Sequence, residues 1–326
     1  MSGKVQLIVT LMFALFCASA VAADLPPFPR TWVNGDPVDQ AGLKGKLTVL
    51  YFYEETCPQC RGRWPEVIGI ADEFKGKPIV FIAINSGNEA GPVAGYARGV
   101  RLPWPVIVDT DRSFETAVGV GFITNDNNIK VRIVGPDGKL YQSSIENFKA
   151  SIERHIDKAA WKIDPTTIPE PLQGAWKSVE FGQYQSALGL IQRGTSASNT
   201  QIKTAAQSLL KQIEADLDAL LAKAKAAEKS GKKWEAYKHY LEATRSFKGL
   251  PKATEAGKTL KTLAEDASLT SEIRAMAALE NADKQLASRS RTQRRDGLAM
   301  LDQIIEQFPN TEAAEKAKGL KKAAAE

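Results

Sequence analysis

The chain has 326 residues, of which 43% are hydrophobic and 25% are charged, a composition typical of a globular protein. A chain of this length usually forms two domains, and its modest glycine and proline content excludes a collagen-like or linker-dominated architecture. The formal net charge of +5 is too small to indicate a nucleic-acid partner. We interpret the tight cluster of Arg289, Arg291, Arg294 and Arg295 as a solvated helix face or helix junction and not as a phosphate-binding patch.

The N-terminal residues have the layout of a secretory signal peptide. Lys4 precedes an apolar run over residues 5–16, which is followed by a run of small residues. The apolar run is too short to span a bilayer, which needs about 20 apolar residues. We therefore assign residues 1–23 to a signal peptide, cleaved after Ala22 or Ala23. The mature protein is expected in the periplasm or outside the cell, with no membrane span.

Removal of the signal peptide would leave two cysteines, Cys57 and Cys60, separated by Pro58 and Gln59. A single closely spaced pair is not the framework of a disulfide-rich protein, which needs several longer bridges. A zinc site would need about four ligands, and the sequence has only two histidines. The pair is therefore interpreted as a redox-active disulfide that works without a metal or another cofactor.

The cysteines lie between a predicted strand and a predicted helix. Residues 47–53 are apolar and β-favouring, which indicates a central strand buried on both faces. Helical spacing begins at Pro58, Pro65 is expected to kink that helix, and residues 79–84 predict a second buried strand. Strand, cysteine turn, helix and parallel strand together form one βαβ unit.

This position suggests different roles for the two thiols. At the mouth of a helix, free backbone N–H groups and the helix dipole favour a thiolate at Cys57. Arg61 and Arg63 add to this effect, whereas Glu54 and Glu55 oppose it. We expect Cys57 to be the exposed nucleophile and Cys60 to be the resolving thiol, which attacks the mixed disulfide from the buried side.

The following residues complete a small α/β domain over residues 24–160. Residues 106–108 predict a third strand, and residues 131–134 and 139–142 predict a hairpin around a Gly-Pro-Asp-Gly turn. Apolar residues at helical spacing predict a closing helix over residues 145–160. The expected fold is a central mixed sheet flanked by helices.

Residues 32–158 resemble the thioredoxin fold, in particular the exported redoxins that include proteins of cytochrome c maturation. The motifs that match are, in chain order, Trp32–Pro37, Leu43–Lys46, Cys57–Cys60 with Pro65, Pro103–Val106 with Asp109, and Gly135–Lys139. The resemblance implies a thiol–disulfide oxidoreductase that acts on protein thiols and disulfides and is served by a redox partner protein. It also implies a substrate cleft formed by Thr56, Pro58, Gln59 and Ile129 beside the cysteines.

Three positions depart from that family pattern. Thr56 replaces the usual tryptophan, and Arg63 stands where many exported members have a glutamate. The family has a cis-proline ahead of the hairpin, at the position of Ile129, and residues 124–131 contain no proline. A peptide bond before isoleucine should be trans, because a cis bond there costs about 2.5–4 kcal/mol. The cleft is then expected to be wider and the thiols less protected from metal.

Two other functions are alternatives to thiol–disulfide exchange. Peroxiredoxins share the fold, but they have threonine or serine where Glu54 precedes Cys57, so direct peroxide reduction is not expected. The other alternative is a non-catalytic scaffold protein, which the missing proline favours and the intact cysteine pair opposes. A reduction potential far below that of the compartment, together with slow exchange, would indicate the scaffold.

The second half of the chain has a helical composition. A proline-rich segment predicts a linker over residues 161–175, and continuous helical periodicity predicts an all-α domain over residues 176–326. Glycine, aromatic and alanine positions in residues 182–188, 231–243 and 297–309 resemble tetratricopeptide motifs, although their spacing exceeds the usual repeat of about 34 residues. Such helical hairpins are expected to make protein–protein contacts.

Overall fold

A computed structural model describes residues 25–123, 129–286 and 290–325 of the chain, with side chains up to residue 321. The predicted signal peptide, residues 1–23, lies outside the described residues. Within these ranges, no helix combines the length and the hydropathy needed to cross a membrane.

A mixed sheet organises the N-terminal half, and in the described residues it has six strands in the order β1-β4-β3-β2-β5-β6. The strands are β1 (Trp32–Val33), β2 (Leu47–Tyr53), β3 (Ile79–Ser86), β4 (Val106–Asp109), β5 (Ile129–Val134) and β6 (Leu140–Ser143). Strands β2, β3 and β4 are parallel, whereas β1, β5 and β6 run antiparallel to their neighbours. The last residues of the three parallel strands, Tyr53, Ser86 and Asp109, therefore define one edge, which we call the carboxyl end.

Helices cover both faces of this sheet. They are α1 (Gln40–Leu43), α2 (Pro58–Glu73), α3 (Ala90–Gly99), α4 (Ser113–Ala117) and α5 (Phe148–His155). Successive side chains of β2 alternate between the faces. Tyr51 packs with Trp64 of α2 and Phe148 of α5, whereas Phe52 stacks on Phe114 of α4. This arrangement confirms the predicted α/β fold with a central mixed sheet.

The predicted elements agree with the observed ones to within a few residues. The strand over residues 47–53 has the predicted bounds, and the second strand continues two residues beyond residue 84. The predicted helix over residues 145–160 is shorter, because α5 ends at His155 and a 3-10 turn follows over Ile156–Lys158. Proline at position 65 lies inside α2, as predicted.

The C-terminal half is helical, which confirms the fold class predicted for it. Its helices among the described residues are α6 (Gln173–Glu180), α7 (Tyr184–Gly194), α8 (Thr200–Lys229), α9 (Lys233–Ser246), α10 (Pro251–Ala264), α11 (Thr270–Leu286), α12 (Arg291–Gln307) and α13 (Glu312–Ala325). Gly182 and Gly231 have positive φ angles in the turns before α7 and α9, where a side chain would be strained. The tetratricopeptide-like assignment stays a prediction.

The segment between the two halves is ordered and packed. It forms short 3-10 turns at Pro165–Thr167 and Glu170–Leu172, and it enters α6 at Gln173. Ile168 and Leu172 are buried in the apolar core of the helical half. Residues 161–175 thus form turns that pack on the helical half, and the domain bounds placed there stay a prediction.

A buried ion pair joins the two halves. Lys46, which precedes β2, has its Nζ 3.0 Å from Glu180 Oε2 at the end of α6, and neither side chain is exposed. The ammonium also donates to the carbonyl of Gly42 and lies over the rings of Trp161 and Phe181. Phe181 packs into the apolar core on the α4 face of the sheet. We call these five residues the domain junction.

Candidate redox site

Cys57 is the N-cap of α2, just beyond the carboxyl end of β2. Its Sγ accepts a hydrogen bond of 3.1 Å from the backbone N–H of Cys60, and its own N–H donates to the carbonyl of Glu54. Pro58 occupies the first helical turn, where its missing N–H leaves no internal bond unmade. An N-cap acceptor beside a helix N-terminus is a position where negative charge is stabilised.

The exposure predicted for Cys57 is wrong, because the side chain is only 1% exposed. The N-cap geometry turns Sγ back over the first turn of α2, and Cys57 becomes part of the same apolar core as Cys60 and Trp64. A substrate sulfur can therefore reach Cys57 only when neighbouring groups move aside.

Cys60 lies fully buried in the first turn of α2, and both cysteines are free thiols. Burial raises the pKa of Cys60 to about 12, and the hydrogen bond with Cys57 and the charges of Cys57 and Glu54 act in the same direction. A hydrogen bond from the Glu54 backbone opposes this shift. Cys60 is therefore protonated at neutral pH, whereas Cys57 occupies the N-cap position of α2.

The structure brings the predicted cleft residues to the same region. Thr56 donates its hydroxyl to Glu54 Oε1 at 3.4 Å, and Gln59 is exposed on the first turn of α2. Ile129 begins β5 opposite Tyr53, so the strand register puts it at the carboxyl end, as the hairpin motif predicted. Trans peptide bonds are predicted in the loop ahead of Ile129, but residues 124–128 of that loop lie outside the described residues.

A network of carboxylates and amides beside the cysteines was missed by the sequence analysis. The Asn88 amide donates to Glu54 Oε1 at 2.9 Å and to Glu55 Oε2 at 2.8 Å, and Asn85 donates to the same Glu55 oxygen at 2.6 Å. Burial raises the pKa of Glu55, and the bond with Asn85 partly opposes the rise. The sequence contained a signal for this network. Glu54 and Glu55 follow β2, Asn88 follows β3, and these two parallel strands end at the same edge of the sheet.

An aromatic cluster forms the wall behind Cys60. Trp64 lies 4.8 Å from Tyr51 and 5.1 Å from Tyr53 between ring centroids, and its indole N–H donates to Tyr96 Oη at 2.9 Å. The hydroxyls of Tyr51 and Tyr53 are buried without a hydrogen-bond partner in the described structure. Burial raises the pKa of both phenols, so they stay neutral. The thiols therefore lie against a rigid wall of low polarity.

Elsewhere, no group of three or more histidine, cysteine, aspartate or glutamate side chains in the described ranges could hold a metal ion. His155 stacks on Tyr141 of β6 at 4.4 Å, and burial lowers its pKa. His239 lies half-buried on α9, away from the cysteines in the fold.

Comparison with known proteins gives matches to the N-terminal half. Residues 21–143 match the model of the AhpC/TSA family. A thiol–disulfide oxidoreductase of Bacillus subtilis is 27% identical over 131 residues, which are 39% of this chain and 72% of that protein. A soluble secreted antigen of Mycobacterium tuberculosis is 31% identical over 109 residues, or 33% and 62% of the two chains.

Solved structures give the same kind of match. A thiol:disulfide interchange protein of the thioredoxin family from Chlorobium tepidum aligns with a TM-score of 0.35 and 20% identity. The alignment covers 43% of this chain and 99% of that one.

Proposed function

We propose that this chain, whose N-terminal half belongs to the thioredoxin-like redoxin family, is an oxidoreductase that exchanges thiols and disulfides in protein substrates through Cys57 and Cys60. One observation carries the proposal. Cys57 caps the redox helix at the end of the central strand, and the backbone N–H of Cys60 points at its sulfur. The relatives that bear the name thiol–disulfide oxidoreductase support the same chemistry.

The first step is attack by Cys57. Its thiolate sulfur bonds to one sulfur of the substrate disulfide, and the S–S bond of the substrate breaks. The second substrate sulfur leaves as a thiolate and takes up a proton. The backbone N–H of Cys60 donates a hydrogen bond to the attacking sulfur.

The second step resolves the mixed disulfide. Cys60 loses its proton, attacks Cys57 Sγ, and releases the remaining substrate sulfur as a thiol. Two electrons pass from the cysteine pair to the substrate, and the pair is left as a disulfide. The raised pKa of Cys60 makes its deprotonation the demanding part of this step. Run in reverse, the same steps oxidise a substrate dithiol.

The proposed function includes export and a partner protein. Residues 1–23 would direct the chain across a membrane, and the likeness to a secreted antigen supports that location. A redox partner would restore the cysteine pair after each turnover, and no further cofactor is required by the chemistry. The helical half, proposed to extend from residue 176, offers additional surface for protein contacts, whereas residues 24–160 form the catalytic domain and residues 161–175 connect the two.

The test uses the two single cysteine variants with insulin as the disulfide substrate and dithiothreitol as the electron donor. We expect Cys57→Ser to abolish insulin reduction, because the attacking sulfur is lost. Pre-reduced Cys60→Ser, mixed with insulin after dithiothreitol has been removed, should instead accumulate a mixed disulfide that non-reducing gel electrophoresis detects. Full activity of the Cys57 variant would overturn the assignment, whereas an unmodified protein that reduces no insulin beyond dithiothreitol alone would favour the scaffold alternative.

A further inference from the structure

One aromatic side chain of the N-terminal half is left largely in water. Phe122 is 66% exposed, and the only other exposed large hydrophobic residue in the described ranges is Leu190 of α7, at 38%. A single exposed apolar residue is common at protein surfaces, so exposure alone does not assign a function. The position and the support of this ring distinguish it.

The topology brings Phe122 to the end of the sheet where the cysteines lie. Strand β4 ends at Asp109, which pairs with Ser86 at the carboxyl end, and β5 begins at Ile129 opposite Tyr53 at the same end. The connection from β4 to β5 therefore leaves from and returns to the edge beside the redox helix. Phe122 belongs to this connection.

The ring of Phe122 is held in place by Arg112. The guanidinium carbon lies 5.5 Å from the ring centroid, which is within the range of a cation–π contact. Arg112 itself is fixed, since it donates to Glu115 Oε1 at 2.8 Å and to the carbonyl of Ile123 at 3.1 Å. Arg112 thus holds the exposed ring of Phe122 in a defined position.

A continuous series of contacts links this ring to Cys57. Arg112 lies against Gly87, where an added Cβ would come within 2.5 Å of Arg112 Nε. The next residue, Asn88, donates to Glu54, and the carbonyl of Glu54 accepts the N–H of Cys57. Gly87 also has a φ of +80°, so its lack of a side chain permits both its conformation and the close approach of Arg112.

We propose that Phe122, backed by Arg112, binds an apolar side chain of a polypeptide substrate whose disulfide lies at Cys57. This inference rests on the proposed function and names its substrate class. Strands β2 and β4 are two places apart in the sheet, so their ends alone are roughly 10 Å apart, given a spacing of about 4.8 Å per strand. Several side chains lie between Phe122 and Cys57 in the series of contacts, so a ligand that contacts both must be longer than free cystine, as a polypeptide is. An aromatic ring offers a large apolar contact area to such a chain.

The experiment compares a protein disulfide with a small one. The pre-reduced full-length protein is mixed with insulin or with cystine, and its oxidation is followed by thiol alkylation and gel shift. We expect Phe122→Ala to lower the second-order rate constant for insulin about five- to tenfold, a typical effect of removing an aromatic contact residue. The rate constant for cystine should stay unchanged.

Leu190→Ala is the matched control, because it removes the other exposed hydrophobic side chain from a helix of the second half. It should leave both rate constants unchanged, and Phe122→Gln should repeat the selective loss with insulin. An equal loss on insulin and cystine, or no loss on insulin, would overturn the assignment of Phe122. Failure of the unmodified protein to react with either disulfide would instead contradict the proposed function.

Discussion

Two glutamates directly precede the redox turn, and the charge of one of them, Glu54, acts on Cys60. Glu54 is 7% exposed and is held by Asn88 and Thr56, so its carboxylate has little freedom to turn away. Its charge is one of the causes that raise the pKa of Cys60. The residue therefore hinders formation of the Cys60 thiolate, which is the nucleophile of the proposed second step.

Replacing that charge should speed the resolution of the mixed disulfide. We expect Glu54→Gln to lower the pKa of Cys60, because a nearby negative charge is removed while the acceptor for Asn88 is kept. The rise of the second step with pH, measured by stopped-flow, should then shift to lower pH. Glu73→Gln, at the exposed end of α2, is the control and should cause no shift. A slower second step at every pH would show that the carboxylate accepts the thiol proton, and would contradict this prediction.

The residue scale also shows where sequence patterns stop being informative. The place of Cys57 and Cys60 after an apolar strand predicted the helix that begins at Pro58, and the structure confirms that helix. The burial of Cys57 was not predictable, because it depends on an N-cap geometry and on packing with residues that are distant in sequence. The network around Glu54 likewise needs Asn85 and Asn88, which only strand pairing brings near.

At the scale of elements, the strength of a local pattern decided which parts were predicted. Strand β2 is an unbroken apolar run, and the hairpin of β5 and β6 has a strong turn sequence, so both were predicted closely. Helix α3 was missed, because Ala90–Gly99 contains three glycines and a proline, which have low helix propensity. Its buried Val93 and Tyr96 show that tertiary packing stabilises it.

The start of β5 provides the second prediction. Ile129 stands beside the redox end of β2, where the resemblance implies a proline. We expect Ile129→Pro to raise insulin reduction and to lower the zinc or iron bound by the reduced protein, because proline removes an N–H and narrows the approach to the thiols. Proline is tolerated at the first residue of a strand, so the sheet should persist.

The measurements are the insulin assay and a chelator assay for metal on the reduced protein. Ile129→Ala is the control, since it removes the same apolar side chain without restricting the backbone, and it should change neither quantity in that direction. A drop in insulin reduction with Ile129→Pro, in a variant that unfolds like the parent, would contradict the prediction that a proline at this position improves the substrate cleft.

At the scale of the whole molecule, the domain junction fixes the helical half to the N-terminal half. Lys46 and Glu180 come from different halves, and both side chains are shielded from water. The junction lies at the amino end of β2, whereas Cys57 lies past its carboxyl end. A second contact joins Arg30 to Asp283 of α11. Because each half supplies partners that the other needs, we expect the chain to unfold in one transition.

Removing one member of the buried pair tests this coupling. Glu180→Gln leaves the Lys46 charge in a dry site without its carboxylate, which should cost about 3–5 kcal/mol of unfolding free energy. The double variant Lys46→Met, Glu180→Leu removes both charges and should recover most of that loss. Glu255→Gln, in an exposed pair with Lys258, should cost less than about 1 kcal/mol. Urea unfolding followed by circular dichroism measures all three.

The stability of the Glu180→Gln variant should also depend on pH. Burial already lowers the pKa of Lys46, and the bond and charge of Glu180 oppose that shift. Without the carboxylate the pKa of Lys46 falls further, so the folded state holds this proton less tightly than the unfolded chain does. Stability should then be lowest below the folded pKa and rise with pH towards the ordinary lysine value. The urea midpoint of Glu180→Gln should therefore rise relative to that of the parent protein between neutral and alkaline pH. If it does not rise, the charge of Lys46 is not stabilised by Glu180, and other contacts hold the two halves together.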